Sequence, residues 1–175
     1  MPIQIGAPPD SGFDNPLGML ADCHRRIEHF LHILSTVAER IDPGTLSGEE
    51  IAAIHAALNY FRTGGIRHNA DEEESLFPRL RAGGESADLD SLESDHQVTG
   101  ELHQESDALY RKWISAGSLD ITEHLRLTAI TSRLQRIYQD HIRLEESVVF
   151  PRAARTLSPE ELAAMGKEFE RRRAE

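Results

Sequence analysis

Apolar residues recur along this sequence at alternating steps of three and four, which is the spacing of one buried face of an α-helix. Such series cover residues 17–41, 51–72 and 127–148, and a less regular one covers residues 89–113. No segment alternates with the two-residue period of a half-buried strand. The pattern therefore predicts four long helices.

Capping and helix-breaking residues delimit these helices. Start signals are found at Asp14 or Asn15 before Pro16, at Ser47-x-x-Glu50, at Asp120-x-x-Glu123 and at Ser158-Pro159-Glu160-Glu161. Stop signals are Asp42-Pro43-Gly44, Pro78 with Gly83-Gly84, Gly117 and Pro151. Gly64-Gly65 predicts a kink or break within the second helix.

These boundaries predict an all-α fold, an antiparallel up-down four-helix bundle with a short C-terminal helix. We expect a flexible leader over residues 1–13, the bundle over residues 14–156 and a charged helix over residues 157–175.

Composition excludes several classes of protein. Among 175 residues, 30 Asp and Glu oppose 19 Lys and Arg, a net charge of −11 that argues against nucleic-acid binding. No apolar run approaches the roughly 20 residues that span a membrane. The first residues lack the basic and apolar regions of a secretory signal, which predicts a cytoplasmic protein. The single cysteine, Cys23, excludes an internal disulfide and a thiolate-cluster metal site.

Histidines interrupt the apolar faces where Leu, Ile or Ala would otherwise stand. His24, His68 and His141 lie on three of these faces, and His96 fits the equivalent place on the third helix. His68 and His141 are each followed at i+4 by a glutamate, Glu72 and Glu145, on the same side of the helix. Because a carboxylate in an apolar interior is costly unless it is paired or binds a cation, this set predicts a metal site.

The chain also repeats part of its own sequence. Residues 68–78 align without gaps on residues 141–151, with His, Glu, Glu, Phe and Pro identical at five of eleven positions. Two helical hairpins, each supplying His and then His-x-x-x-Glu, would form a pseudo-symmetric site for two metal ions.

Over residues 16–152 this pattern resembles the hemerythrin-like HHE cation-binding proteins. The resemblance implies a four-helix bundle with a non-haem di-iron centre, bridged by carboxylates and an oxo or hydroxo group. Carried over by position, it implies these ligands: His24, His68, Glu72, His96, His141 and Glu145.

One position departs from the oxygen-carrying hemerythrins, which have a second histidine one turn after the ligand of the third helix. Here that position is Gly100, which would leave about one coordination position open on each metal. Candidates to fill the gap are Glu28, Tyr60, Glu101 and His103.

Glu73 and Glu146 recur in both hairpins and are either hydrogen-bond partners of the ligand histidines or part of a solvated acidic face. His29, His32, His55 and His124 lie mostly off the apolar faces and are predicted to be surface residues.

Imidazole and carboxylate donors without thiolate suit iron, manganese or zinc, and the resemblance favours two iron ions. Ferritin-like proteins carry Glu-x-x-His, whereas this chain has the reverse order, which argues against iron storage of that kind.

An open coordination position on the metal would admit peroxide, O2 or NO. The function we favour is peroxide disproportionation, as in a catalase-like oxidoreductase of oxidative stress. The alternatives are a non-catalytic iron or oxygen sensor and plain O2 or iron binding; the sequence identifies no protein partner.

Overall fold

A computed structural model describes residues 10–84 and 87–174, and all regular secondary structure within these ranges is helical. The bundle consists of four long helical segments, which we call rods. The first and third rods are single helices, α1 (Pro16–Ala38) and α5 (Ala87–Ala116). The second rod consists of α2 (Gly48–Tyr60), π1 (Phe61–Gly65), α3 (Ile66–Asp71), π2 (Glu72–Leu76) and α4 (Phe77–Ala82), where π denotes a π-helical turn. The fourth rod consists of α6 (Ile121–Leu144), π3 (Glu145–Val149) and α7 (Phe150–Thr156), and α8 (Pro159–Ala174) follows it.

The rods run antiparallel in up-down order. At one end of the bundle, His124 Nε2 near the start of α6 donates a hydrogen bond of 2.9 Å to the carbonyl of Ala38 at the end of α1. At the same end, Trp113 Nε1 near the end of α5 donates to the carbonyl of Gly44, in the loop before α2, at 2.8 Å. The predicted antiparallel four-helix bundle with a C-terminal helix is therefore confirmed.

The helix starts follow the capping chemistry in the sequence. Asn15, and not Asp14, caps α1, since its side chain accepts a hydrogen bond from the Gly18 amide at 3.1 Å. Reciprocal capping boxes open α2 at Ser47 and α6 at Asp120. At the end of α5, Gly117 adopts a φ of +80°, the left-handed conformation that favours glycine.

The prolines do not end the second and fourth rods, so that part of the prediction was wrong, whereas the second rod does end at Gly83-Gly84 as predicted. The helices continue past Pro78 to Ala82 and past Pro151 to Thr156. A π-helical turn precedes each proline, and in the second rod the Phe77 amide donates to the Glu72 carbonyl five residues back. This wider turn gives the ring room and shifts the hydrogen-bond register past the missing amide. Gly64-Gly65 likewise lies in a π-helical turn, π1, and the rod is not broken there.

Two apolar clusters fill the bundle. The larger lies toward the Trp113 end and includes Ile27, Phe61, Leu102 and Tyr138. The smaller lies toward α8 and includes the following residues: Leu20, Leu76, Phe77, Leu92, Val149, Met165 and Phe169. On all four rods the sequence passes from one cluster to the other through a buried polar stretch. The fold thus holds a polar layer between two apolar ones.

Helix α8 packs on the end of the bundle near the smaller cluster. Its Met165 and Phe169 are fully buried, and Glu168 forms a two-point ion pair with Arg79 of α4, Nη2 to Oε1 being 2.8 Å. A Cβ at Gly166 would lie 1.9 Å from the Phe13 carbonyl oxygen, so glycine permits a close approach of the segment before α1. Residues 1–9 of the predicted leader lie outside the described residues. Within the described part of the chain, no helix is both long and apolar enough to cross a membrane.

Candidate metal centre

The polar layer contains all six residues that the sequence singled out as ligands, and every one of them is buried. Each rod contributes at least one imidazole to it. The positions are His24 on α1, His68 on α3, Glu72 at the start of π2, His96 on α5, His141 on α6 and Glu145 at the start of π3. Because both glutamates open a π-helical turn, the local helical distortion falls at the same place in the two repeats.

The six side chains form two overlapping groups of donors. One group is His24, His68, Glu72 and Glu145; the other is Glu72, His96, His141 and Glu145. Within each group, one donor atom from every residue lies within 4.8 Å of the others. Each group therefore has its own pair of imidazoles, and the two groups share both carboxylates.

The carboxylate of Glu72 lies between the two histidine pairs. Its Oε1 is 3.2 Å from His68 Nε2 and 3.9 Å from His24 Nε2. Its Oε2 is 3.2 Å from His96 Nε2. One oxygen of Glu72 thus faces each pair.

Glu145 has the corresponding arrangement from the opposite repeat. Its Oε2 is 2.9 Å from His24 Nε2, and its Oε1 is 3.3 Å from His141 Nε2. Two carboxylates that each present one oxygen to each imidazole pair have the form of bridging ligands between two cations.

A cation fits this donor set. Both oxygens of Glu72, both oxygens of Glu145 and Nε2 of His24 are buried, and although these atoms lie close to one another or to other imidazole nitrogens, none has a partner in hydrogen-bonding geometry among the described residues. Buried polar atoms are nearly always paired, and leaving a buried charge unpaired costs several kcal/mol. His96 Nε2 and His141 Nε2 are also only 3.2 Å apart, so two lone pairs would repel unless a proton or a metal ion lay between them.

The pKa values of the buried donors are also shifted in ways that favour positive charge at the site. Burial, and then the charge of Glu145, raises the pKa of Glu72 well above its ordinary value. Burial lowers the pKa of His24 and His141, but the adjacent glutamate carboxylates outweigh it and raise both values. Burial and the neighbouring His24 lower the pKa of His68. Protons or metal ions among the donors would offset the negative charge of the two buried carboxylates.

Outer carboxylates orient three of the four imidazoles. Glu146 Oε1 lies 2.8 Å from His24 Nδ1, and Glu73 Oε1 lies 2.7 Å from His96 Nδ1. A hydrogen bond at Nδ1 holds the ring in the tautomer whose Nε2 lone pair faces the centre. Two interpretations of Glu73 and Glu146 were open: hydrogen-bond partners of histidine, or part of a solvated acidic face. The geometry shows the first.

The third outer carboxylate was missed by the sequence. Asp95 Oδ2 lies 3.3 Å from Nδ1 of His141, on the neighbouring rod. Asp95 is not part of the repeated segment, so nothing in the repeat pointed to it. His68 differs from the other three imidazoles, because its Nδ1 is buried and has no partner among the described residues.

Comparison with known protein families matches residues 15–153, more than half of the chain, to the hemerythrin HHE cation-binding domain. The chain belongs to the hemerythrin family. The match confirms the resemblance inferred from the histidine and glutamate spacing. It also agrees with the buried donor groups, so we describe this as a metal-binding hemerythrin domain. A comparison with curated proteins finds no match to the sequence.

The four residues proposed to fill the gap at Gly100 belong to neither donor group of the hemerythrin domain. Glu28 and Glu101 are exposed. The Tyr60 hydroxyl donates to the Cys23 carbonyl at 3.2 Å. The His103 ring stacks on Phe61, with ring centroids 4.0 Å apart. The structure therefore does not bring these side chains to the centre.

Gly100 itself lies on the outside of α5, and a Cβ built there would meet nothing within 4 Å. It lines a cavity of about 410 Å³ between the second rod and α5. Position 100, where the resemblance predicted an open coordination position, therefore has open space beside it.

One predicted surface histidine is buried. His29, His32 and His55 are exposed as expected, but His124 is only 6% exposed. Its ring packs edge-on against Trp113 and donates to the Ala38 carbonyl, which closes the end of the bundle. The prediction failed because His124 lies at the start of a helix. There, neighbouring loops and helix ends bury side chains that do not lie on the apolar face of the helix, and the spacing of apolar residues does not show this.

Proposed function

We propose that the six buried residues hold two iron ions, joined by an oxo or hydroxo group, and that a small ligand such as peroxide, O2 or NO binds at an open iron position. The supporting observation is the sharing of both carboxylates. Glu72 and Glu145 each offer one oxygen to each imidazole pair, and within the part of the chain that the structure describes none of these four oxygens has a partner in hydrogen-bonding geometry. The neutral imidazole and carboxylate donors suit iron, while manganese and zinc are the alternatives that metal analysis would exclude.

The activity that we propose is disproportionation of peroxide. Two iron ions supply a two-electron couple and a place for a small oxygen ligand. The protein residues have separate tasks: the four imidazoles fix the positions of the ions, and Glu72 and Glu145 bring two negative charges that offset part of the metal charge. Glu146, Glu73 and Asp95 hold three imidazoles in orientation through Nδ1.

Access for a small ligand is best supported from the Gly100 side. The cavity there is lined by Thr99, one helical turn after His96, and by Tyr138, one turn before His141. Because position 100 carries no side chain, nothing from α5 occupies the space that a fifth histidine would take.

Oxygen evolution from hydrogen peroxide tests this proposal. Iron-loaded protein should evolve O2, and His141→Ala should abolish the activity because it removes one imidazole from the centre. His55→Ala, an exposed histidine, serves as the matched control and should retain full activity. Equal activity of His141→Ala and the unaltered protein would refute the enzymatic proposal.

A second candidate is a sensor in which metal binding orders the bundle for a partner. It is favoured by Asp71, which directly precedes Glu72 and forms ion pairs with Arg172 and Arg173 of α8. A change at the metal centre would thus act on a neighbour of the C-terminal helix. This reading requires a large fall in melting temperature, and greater protease cleavage within α8, when metal is removed with a chelator. An unchanged melting curve and cleavage pattern would exclude it.

A further inference from the structure

The cavity beside Gly100 is much larger than the diatomic ligands and peroxide considered above. Its volume of about 410 Å³ lies within the range of about 300–1,000 Å³ that is usual for small-molecule sites. One water molecule takes up about 30 Å³ in the liquid, and O2 or hydrogen peroxide is of similar size. The cavity therefore has room for an organic molecule.

The walls of the cavity are mainly apolar. Leu58, Phe61 and Ile66 line one side on the second rod. Ile66 is 63% exposed, so this part of the wall is open to water. An apolar body bound in the cavity would remove that side chain from water, and this burial provides the driving force for binding.

The charged groups in the lining neutralise each other. Arg62 Nε lies 2.8 Å from Asp107 Oδ1, and Arg62 Nη2 lies 2.5 Å from the same oxygen. The lining contains no other Asp, Glu, Lys or Arg. Since neither sign of charge is in excess, the cavity favours an uncharged ligand over an anion or a cation.

Some hydrogen-bonding groups of the lining lie on the same helices as the histidines of the metal centre. His103 Nε2 and the Tyr138 hydroxyl lie 3.0 Å apart, and the buried Thr99 hydroxyl lines the same region. Tyr138 and Thr99 are each one helical turn from a histidine of the centre. A ligand hydroxyl would therefore find donors and acceptors beside Thr99 and Tyr138, and its apolar body would contact Leu58, Phe61 and Ile66.

We infer that this cavity is a binding site for a small uncharged organic molecule with a compact apolar body and a hydroxyl or hydroperoxyl head, which it orients toward the metal centre. Binding depends on the cavity walls and not on the identity of the metal ions, so this inference can fail or succeed independently of the proposed peroxide activity.

Three probes of matched size and different charge test the inference: benzyl alcohol, benzoate and benzylammonium. Binding is measured by isothermal titration calorimetry on the protein as purified, with its metal. Benzyl alcohol should bind saturably with a Kd of about 1 mM or tighter, and the two ions should bind at least about tenfold more weakly. Absence of saturable benzyl alcohol binding, or equal binding of all three probes, would overturn the inference.

Variants at Gly100 locate the bound probe. Gly100→Leu places an isobutyl group in the cavity and should weaken benzyl alcohol binding at least about tenfold. Gln97→Leu, which places the same group at an exposed position of α5 outside the cavity lining, is the matched control and should leave binding within about threefold. Ile66→Ser should also weaken binding, since it removes part of the apolar wall without disturbing the core. If Gly100→Leu and Ile66→Ser both bind like the unaltered protein, the probe lies elsewhere and the inference is wrong.

Discussion

Glu72 and Glu145 occupy equivalent places in the two repeats, and each presents one carboxylate oxygen to each of two histidine pairs. Each opens a π-helical turn, and each follows a histidine of the centre by four residues. Their four oxygens have no hydrogen-bond partner among the described residues. Under the proposed function this repeat has a physical reason, because a site for two cations would take the same pair of donors from two hairpins.

The metal-free protein should be destabilised by the charged form of Glu72. Burial and the charge of Glu145 raise the pKa of Glu72 above its ordinary value of 4.5. A carboxyl whose pKa is raised by folding stabilises the fold at low pH, and this contribution is lost as the pH rises through the raised value. We therefore expect metal-free Glu72→Gln to exceed the metal-free parent in free energy of unfolding at pH 8, by about 1 kcal/mol or more, with the difference shrinking toward pH 4.5.

Urea denaturation of chelator-treated protein at several pH values measures this difference. Glu101→Gln, which changes an exposed glutamate, is the control and should follow the parent. A Glu72→Gln variant with the same pH dependence as the parent would show that the Glu72 carboxylate does not destabilise the metal-free fold.

His103 should make the protein acid-sensitive in a defined window. Burial lowers the pKa of His103 to about 4, from an ordinary value of 6.5. Between these two pH values, His103 binds a proton in the unfolded chain but not in the folded protein. The free energy of unfolding therefore falls as the pH falls from about 6.5 to about 4. Relative to His103→Gln, the parent should lose about 2 kcal/mol over this range. Thermal melts at pH 7.5 and pH 4.5 would check this, with the exposed His55→Gln as control; equal losses in parent and His103→Gln would contradict it.

The C-terminal helix should depend on one buried carboxylate. Asp71 is fully buried, with Oδ1 2.8 Å from Arg172 Nη1 and Oδ2 2.7 Å from Arg173 Nη2. Removing both arginines leaves a buried charge without its partners, so Arg172→Ala/Arg173→Ala should cost about 3 kcal/mol of unfolding free energy.

The matched control for this variant is Arg171→Ala, on the exposed side of the same helix, which should cost no more than about 0.5 kcal/mol. Adding Asp71→Asn to the double variant should restore part of the loss, because the unpaired charge is then removed. If the double variant melts like Arg171→Ala, the ion pairs contribute nothing measurable.

Two helical glycines should respond to alanine in opposite directions. At Gly100 a Cβ meets open space, so Gly100→Ala should stabilise the helix by about 1 kcal/mol. At Gly64 a Cβ would lie 2.7 Å from Tyr60 Cε2, and the Tyr60 ring is held by stacking on Phe30 and by a hydrogen bond to the Cys23 carbonyl. Gly64→Ala should therefore lower the melting temperature despite its better helix propensity. A gain of equal size at both positions would contradict the packing described for Tyr60.

The sequence predicted the bundle because its signals were periodic and local. Apolar residues at steps of three and four defined the rods, and Ser47 and Asp120 marked helix starts with capping boxes that the structure contains. Pro78 misled the prediction, since the effect of a proline depends on the hydrogen-bond register before it, and a π-helical turn changes that register.

The sequence repeat was enough to predict that the six donors meet in one place. It was not enough to predict which other residues surround them. Asp95 reaches His141 from another rod, and Tyr138 meets His103 across the bundle. The arginines of α8 find Asp71 about a hundred residues earlier in the sequence. Such contacts depend on how helices rotate against one another, which the spacing of residues along a single helix does not specify.

Metal content per chain tests the proposed centre most directly. After full loading and removal of unbound metal, elemental analysis should find two iron ions per chain. Because both carboxylates belong to both donor groups, Glu72→Ala and Glu145→Ala should each lose both ions, while Glu101→Ala keeps two. One ion or none in the parent protein, zinc in place of iron, or a Glu72→Ala variant that retains two ions would contradict a shared two-iron centre.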